Sequence, residues 1–233
     1  MNVALIVAAG KGMRMNSKVR KQYLEISGRP ILAHTLDVFD GCPLIDRIFL
    51  VVPEDDADYC RKMIASDPGL TKSVDLVSGG KQRQDSVYNG LAAIGELAAA
   101  DPVDIVAIHD GVRPFVTVVQ ITDCITGARD AGACILGLPV HDTVKQVSGS
   151  GTIEATLERD AIWLAQTPQA FRYDLIMEAH IQAKHRGYIA TDDASLVEQL
   201  GRKIKIIPGD RFNTKITRRE DVDMANAIFQ GRK

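Results

Sequence analysis

"VALIVAAGKGMRM", residues 3–15, sets an apolar run directly before two alanines, a Gly10-x-Gly12 turn and the first of a series of cations. Lys11, Arg14, Lys18, Arg20 and Lys21 place five positive charges and no acid between residues 11 and 21, in a chain of 233 residues whose formal net charge is −2. A short Val/Ile-rich run ending in glycines reads as a buried strand passing through a tight turn toward a helix. Such a turn cradles phosphate when its backbone N–H groups and the helix N-terminus point at the anion. Two familiar forms do not fit. The dinucleotide fingerprint G-x-G-x-x-G/A needs a small residue where Met15 stands, and the G-K-S/T of a P-loop occurs nowhere. What is left is a glycine turn followed by cations, which suits a triphosphate and also suits a structural turn with a solvated basic loop.

The rest of the chain repeats the alternation. Residues 48–52, 74–77, 105–108, 134–140 and 204–207 are brief and rich in Val and Ile, as strands covered on both faces are. Between them, Ile31, Leu32, Leu36 and Phe39, and again Val87, Leu91 and Ile94, recur at helical spacing. The segments near 118–130, 173–186, 192–200 and 217–229 do the same. Strand and helix in alternation predict an α/β fold with a mostly parallel sheet flanked by helices. Residues 140–160, "VHDTVKQVSGSGTIEATLERD", instead alternate apolar with polar around Gly149-Ser150-Gly151, the pattern of a β-hairpin. That insertion is either a solvated decoration or an arm that grips a second subunit.

Composition narrows the function classes. At 45% hydrophobic and 25% charged, the chain can bury a sizeable core, and one domain over 1–233 is expected. A near-neutral balance argues against a general nucleic-acid binder, which carries a basic excess over a whole face. Cys42, Cys60, Cys124 and Cys134 are scattered without metal-ligand spacing and read as reduced, half-buried residues of a cytosolic protein. No apolar stretch reaches the ~18 residues of a membrane span, and no signal-peptide pattern opens the chain, so a cytoplasmic protein without membrane association is expected.

Two further loops carry polar chemistry. "SGGKQRQDSV", residues 78–87, is a second glycine-rich turn between a strand and a helix, with Asp85 or Ser86 near the helix start. "HDGVRPF", residues 109–115, places Asp110 and Arg113 just past another strand. In open α/β sheets ligands bind at the carboxyl ends of strands, so these loops and the first glycine turn should converge. Asp110 reads as a helix cap, a salt-bridge partner, or a group near a ribose and its magnesium. His109 is given no catalytic part.

The ordered blocks "AAGKGMRM", "KQY" (21–23), "GGKQRQDSVYNGL" (79–91), "HDGVRP" (109–114), "DTVK" (142–145), "TPQAF" (167–171), "TDDASLVE" (191–198) and "NTKITRREDV" (213–222) resemble the 2-C-methyl-D-erythritol 4-phosphate cytidylyltransferases of the non-mevalonate isoprenoid pathway. The resemblance runs from residue 3 to about 229. It implies a Rossmann-like nucleotidyltransferase fold, a homodimer, Mg2+, and reaction of CTP with methylerythritol phosphate to give the CDP-alcohol and pyrophosphate. By the same resemblance Arg14 and Lys21 stabilise the transition state at the α-phosphorus. Ala8, Ala9, Gly10, Gly12, Gly80, Lys81 and Ser86 match positions that hold CTP, while Asp110, the candidate metal ligand, Gly111 and Arg113 lie where nucleotide and sugar-phosphate sites meet. Thr143, Arg159, Thr167, Thr191 and Lys215 match the acceptor site, with Arg159 and Lys215 positioning its phosphate. Thr143 and Arg159 flank the hairpin, which in the family reaches the partner's active site. Two positions depart from the family pattern. Arg20 replaces a usual proline and adds a third cation beside Arg14 and Lys21, and Lys81 replaces a usual acid, leaving only a backbone contact there. A cytidylyltransferase for another polyol phosphate, such as ribitol 5-phosphate, and a non-catalytic nucleotide sensor are the alternatives. The Trp163 segment and "TDDASLVE" favour the methylerythritol reading.

Overall fold

The computed structural model describes residues 1–10 and 19–231. Strand β1 (Asn2–Val7) comes first, followed by a 3-10 turn (Lys21–Tyr23), the two-residue strands β2 (Glu25–Ile26) and β3 (Arg29–Pro30), and helix α1 (Ile31–Asp40). Then come β4 (Arg47–Val52), α2 (Ala57–Ala65), β5 (Val74–Ser78), α3 (Arg83–Ala98), β6 (Ile105–Asp110) and α4 (Val118–Ala131). The remainder holds β7 (Ala133–Pro139), β8 (Lys145–Val147), β9 (Ile153–Thr156), β10 (Trp163–Arg172), α5 (Tyr173–Arg186), α6 (Asp193–Glu198), β11 (Lys205–Pro208) and α7 (Arg219–Gly231).

A seven-stranded sheet runs in the order β11-β7-β10-β6-β1-β4-β5. All its pairings are parallel except those of β10, which is antiparallel to both β6 and β7. Side chains alternate across a strand, so each face needs its own cover. Ala4 and Ile6 pack with Leu32, Leu36 and Phe39 of α1 and with Ile121 and Ile125 of α4. Val3 and Leu5 meet Val87, Leu91 and Ile94 of α3 and Ile176 of α5 on the other side. Burial on both faces explains why β1 reads as an unbroken apolar run. A smaller cluster of Ile26, Ile31, Val112, Phe115 and Ile216 seats α7 beside the loop that follows β6.

The strands at the two sheet edges differ from the expectation of burial on both faces. β5 is only half-buried and β11 mostly exposed, because each has a neighbour on one side alone. β10 was not legible as a strand: polar Gln166 and Thr167 and then Pro168 interrupt its apolar pattern. Pro168 cannot donate to the ladder, and the register with β7 shifts between Gln166 and Gln169. α2 also escaped, since Cys60 is its one fully buried residue and its apolar stripe is correspondingly narrow. The hairpin is present, with Lys145 opposite Thr156 and Gln146 opposite Ala155. Its apolar residues face solvent, Val147 at 51% and Ile153 at 59% exposure. All four cysteines are free and fully buried, not half-buried, because they sit in α1–β4, α2, α4 and β7 contacts of the main core.

Candidate active site

The register of the sheet brings three loops together. Val7 stands opposite Asp110 on one side and Val51 on the other, and Val52 stands opposite Ser78, so β1, β4, β5 and β6 end at one level. The chain moves one way from β1 to β4 and returns to the other side for β6, which opens a crevice at the carboxyl ends. There a cavity of about 200 Å3 is lined by Ala8, Ala9, Gly10, Lys21, Gly80, Lys81, Ser86, Asp110 and Lys215. These residues come from five separated stretches of sequence.

Local chemistry fixes each wall. Ala8 N–H donates to Val51 O at 2.8 Å, and the Gln22 amide donates to Ala8 O at 2.7 Å, so the turn after β1 is tied to the sheet and to the 3-10 turn. On the second loop, a Cβ on Gly79 would lie 2.3 Å from Ala9 Cβ and one on Gly80 the same distance from Asp85 Cβ. Only glycine lets the 79–80 turn press this closely between the first loop and α3. Gln82 caps α3 in a capping box with Asp85, whose carboxylate accepts the Gln82 N–H at 3.0 Å. The helix therefore begins at Arg83 and holds Asp85 in its first turn, near the helix start as expected. Ser86 Oγ accepts from Gly80 N–H and donates to Gln82 O, both at 3.0 Å, which closes the loop upon itself.

Asp110 is the electrostatic centre. It is buried, yet Lys215 Nζ lies 2.8 Å from Oδ2, Arg83 Nε 3.2 Å from Oδ1, and Arg113 Nε 3.5 Å from Oδ2. Burial alone would raise its pKa, but the charges of Arg83, Lys215 and Arg113 outweigh burial and hold it well below the usual carboxylate range. Of the three sequence readings, salt-bridge partner is thus the one seen, and the helix cap is not: Thr117 caps α4. Lys215 reaches Asp110 because its loop is pinned on both sides. Asn213 donates to Thr167 O at 2.9 Å and its carbonyl accepts from Arg113 at 2.7 Å, while Ile216 N–H donates to Val112 O at 3.0 Å. Behind Asp110, Thr167 Oγ1 accepts the Asp110 N–H at 3.1 Å and lies 3.1 Å from His109 Nδ1. His109 Nε2 lies 3.1 Å from Arg113 O, so the network assigns the proton to Nε2 and leaves Nδ1 to accept from Thr167. Burial pushes this imidazole down to about 4, and it serves as a neutral strut.

Not every sequence candidate meets at the cavity. Gly12 and Arg14 lie outside the described residues. Gly111 sits behind the wall, its N–H donating to Val7 O at 3.0 Å. Arg113 reaches Asp110 from the side, and Thr167 is buried beneath it. Thr191 is exposed on the turn before α6. Thr143 and Arg159 are exposed at the base of the hairpin, where Arg159 donates to His141 O at 2.8 Å. Arg20 is not a third cation of the cavity: its guanidinium is 3.1 Å from Asp56, and that ion pair turns it toward the segment before α2. Three polar lining residues were missed, Gln22, Gln82 and Arg83. Their signal was present in "KQY" and "GGKQRQDSV", but polar residues in loops look solvated until the loops meet.

Glycine turns and lysines around a crevice at the strand ends, with one buried carboxylate, make an α/β site suited to a polyphosphate. Relatives agree over the whole length. The 2-C-methyl-D-erythritol 4-phosphate cytidylyltransferase of Geotalea uraniireducens is 46% identical over 227 residues, 97% of this chain and 96% of that protein. The enzyme of the same name from Geobacter metallireducens is 47% identical, with 97% of each chain covered. Among solved structures, 4-diphosphocytidyl-2C-methyl-D-erythritol synthase from Anaerococcus prevotii superposes with a TM-score of 0.86 at 33% identity, covering 98% of this chain and 96% of its own. The profile of the 2-C-methyl-D-erythritol 4-phosphate cytidylyltransferase family matches residues 2–231, and the chain belongs to that family.

Proposed function

We infer that this chain transfers the cytidylyl group of CTP to 2-C-methyl-D-erythritol 4-phosphate, giving 4-diphosphocytidyl-2-C-methyl-D-erythritol and pyrophosphate. One observation carries the reading beyond membership of the family: residues assigned to CTP and to the acceptor phosphate from distant stretches line a single cavity. The backbone at 8–10 and 80–81 holds the nucleotide. A phosphate monoester has a second pKa near ~6, so its oxygen is already an anionic nucleophile at neutral pH. It attacks the α-phosphorus and pyrophosphate leaves, with no side chain needed to take a proton. His109 is accordingly free to be a buried strut. Lys21, with Arg14, stabilises charge on the α-phosphate in flight, and Lys215, with Arg159, orients the acceptor. Thr143 and Thr191 complete the acceptor side.

The residues present fit magnesium in a restricted way. No group of three or more His, Cys, Asp or Glu able to hold a metal occurs among the described residues, so the chain builds no cage of its own. Among the described residues Asp110 alone offers a carboxylate to the cavity, which suits an ion that keeps most of its ligands from triphosphate oxygens and water. Bound there, Mg2+ would neutralise phosphate charge. The exposed arm carrying Thr143 and Arg159 supports a homodimer in which each hairpin reaches the neighbour's cavity. No helix among the described residues is long and apolar enough to cross a membrane.

The test is pyrophosphate release from CTP with each acceptor. Release should require both CTP and methylerythritol phosphate, with ATP, GTP and ribitol 5-phosphate much poorer, because a site fitted to one set of polar groups leaves them unpaired with another. Equal turnover with ATP, or none with any polyol phosphate, would overturn the reading.

A further inference from the structure

Arg83 opens α3 and joins two carboxylates. Its Nε donates to Asp110 Oδ1 at 3.2 Å, and its Nη1 lies 2.8 Å from Asp193 Oδ2. Asp193 is buried at the start of α6, and its other oxygen lies 3.3 Å from Nε2 of the equally buried His180 on α5. That start is itself fastened to β10: Gln169 donates to Asp192 at 2.8 Å and accepts the Ala194 N–H at 3.0 Å. A buried carboxylate is costly unless paired, and Asp193 spends its charge on Arg83 and His180, away from the cavity. The guanidinium is a rigid planar fork, so fixing one arm on Asp193 fixes the direction of the other. The consequence falls on Asp110. Its Oδ1 is taken by Arg83, so Oδ2 is the oxygen that meets Lys215, a cavity residue, at 2.8 Å and Arg113 at 3.5 Å.

We propose that Arg83 is a positioning residue for the transfer reaction: anchored by Asp193, it sets the rotamer of Asp110 that aims Oδ2, with the Lys215 ammonium beside it, at the cavity. The role rests on the cytidylyl-transfer reading of the cavity. Lysine at position 83 would keep the charge but lacks a fork that spans both carboxylates. Asparagine at position 193 would keep the shape but not the charge that anchors Arg83.

A double-mutant cycle tests this. Arg83→Lys and Asp193→Asn should each lower kcat by about ten-fold or more, the scale for losing a partner that orients a ligand group, with little change in KM for methylerythritol phosphate. If both act only through Asp110, neither should matter once that carboxylate is neutral. In an Asp110→Asn background the same changes should cost less than about two-fold, whereas independent structural roles would multiply. Thermal melts accompany each variant, and Arg83→Lys alone completes the cycle if Asp193→Asn does not fold. Equal fractional losses in both backgrounds would overturn the role of Arg83. A wild-type chain inactive with CTP and methylerythritol phosphate would instead sink the functional reading, so the two failures are distinct.

Discussion

Lys215 Nζ rests 2.8 Å from Asp110 Oδ2, so the cation proposed for the acceptor phosphate sits on the carboxylate proposed for the nucleotide and its metal. The contact joins the two halves of the site in the protein itself. It also decides what removal of Lys215 does. Arg83 and Arg113 remain beside Asp110, so the carboxylate stays ionised and the loss falls on the acceptor. Lys215→Ala should raise KM for methylerythritol phosphate about 10- to 100-fold, the equivalent of about 1.5–3 kcal/mol for a hydrogen bond to a charged group. Calorimetric titration with CTP should show a much smaller change. A variant that loses CTP binding as severely as acceptor binding would place Lys215 on the nucleotide.

Lys21 should behave differently. It lines the cavity from the 3-10 turn, on the opposite loop from Lys215. If its charge is felt mainly as the α-phosphate becomes pentavalent, Lys21→Ala should lower kcat at least ~100-fold, the scale for one preorganised electrostatic donor. Affinity for CTP should fall far less. Steady-state kinetics separate the cases, since a rise in KM with kcat intact would mean ground-state binding.

The fold and the site were legible to different depths, for physical reasons. Strands covered on both faces leave continuous apolar runs, so β1, β4, β6 and β7 stood out, and the carboxyl-end rule foretold that the loops at 8–10, 79–82 and 110–113 would meet. β10 hid because its bulge at Gln166 to Gln169 breaks the alternation that marks a strand. The cations near residue 20 were visible as a group, but a sequence does not say which way a side chain points. Arg20 turns to Asp56 and Lys21 to the cavity, although the two are adjacent. Arg83 was hidden for the converse reason: its partners Asp110 and Asp193 are distant in sequence and meet it only through the packing of α3, β6 and α6.

His109 gives the protein a dependence on acid. Its imidazole is held neutral by burial, down to about 4 from an ordinary 6.5, while in the unfolded chain it titrates at the ordinary value. Between those two values the unfolded state binds more protons, so this contribution is complete above pH 6.5 and is lost as pH falls toward 4. A shift of this size amounts to roughly 3 kcal/mol at most. The paired carboxylates of Asp40, Asp110, Asp193 and Asp221 are held below the usual carboxylate range by their hydrogen bonds and neighbouring charges. In urea unfolding from pH 4.5 to 7, His109→Gln should therefore show a flatter rise of stability with pH than the wild type, whatever its absolute stability. An unchanged slope would mean that His109 binds its proton equally in the folded and the unfolded chain.

The hairpin offers a test of the proposed dimer. Thr143 and Arg159 stand at the base of an exposed arm and do not line the cavity that holds Lys21. If the arm completes the neighbour's site, a Lys21→Ala subunit has a damaged cavity and a sound arm, and an Arg159→Ala subunit the reverse. Each variant alone should be nearly inactive. In a mixed dimer one site receives both lesions and the other receives neither. Random exchange at equal amounts makes about half of the dimers mixed, so about a quarter of wild-type activity should return if the sites of a twofold dimer work independently. Subunit exchange is verified by mass spectrometry of differently tagged chains. Exchange without recovery would mean that Arg159 serves its own subunit, and the exposed hairpin would then have no part in the neighbour's chemistry.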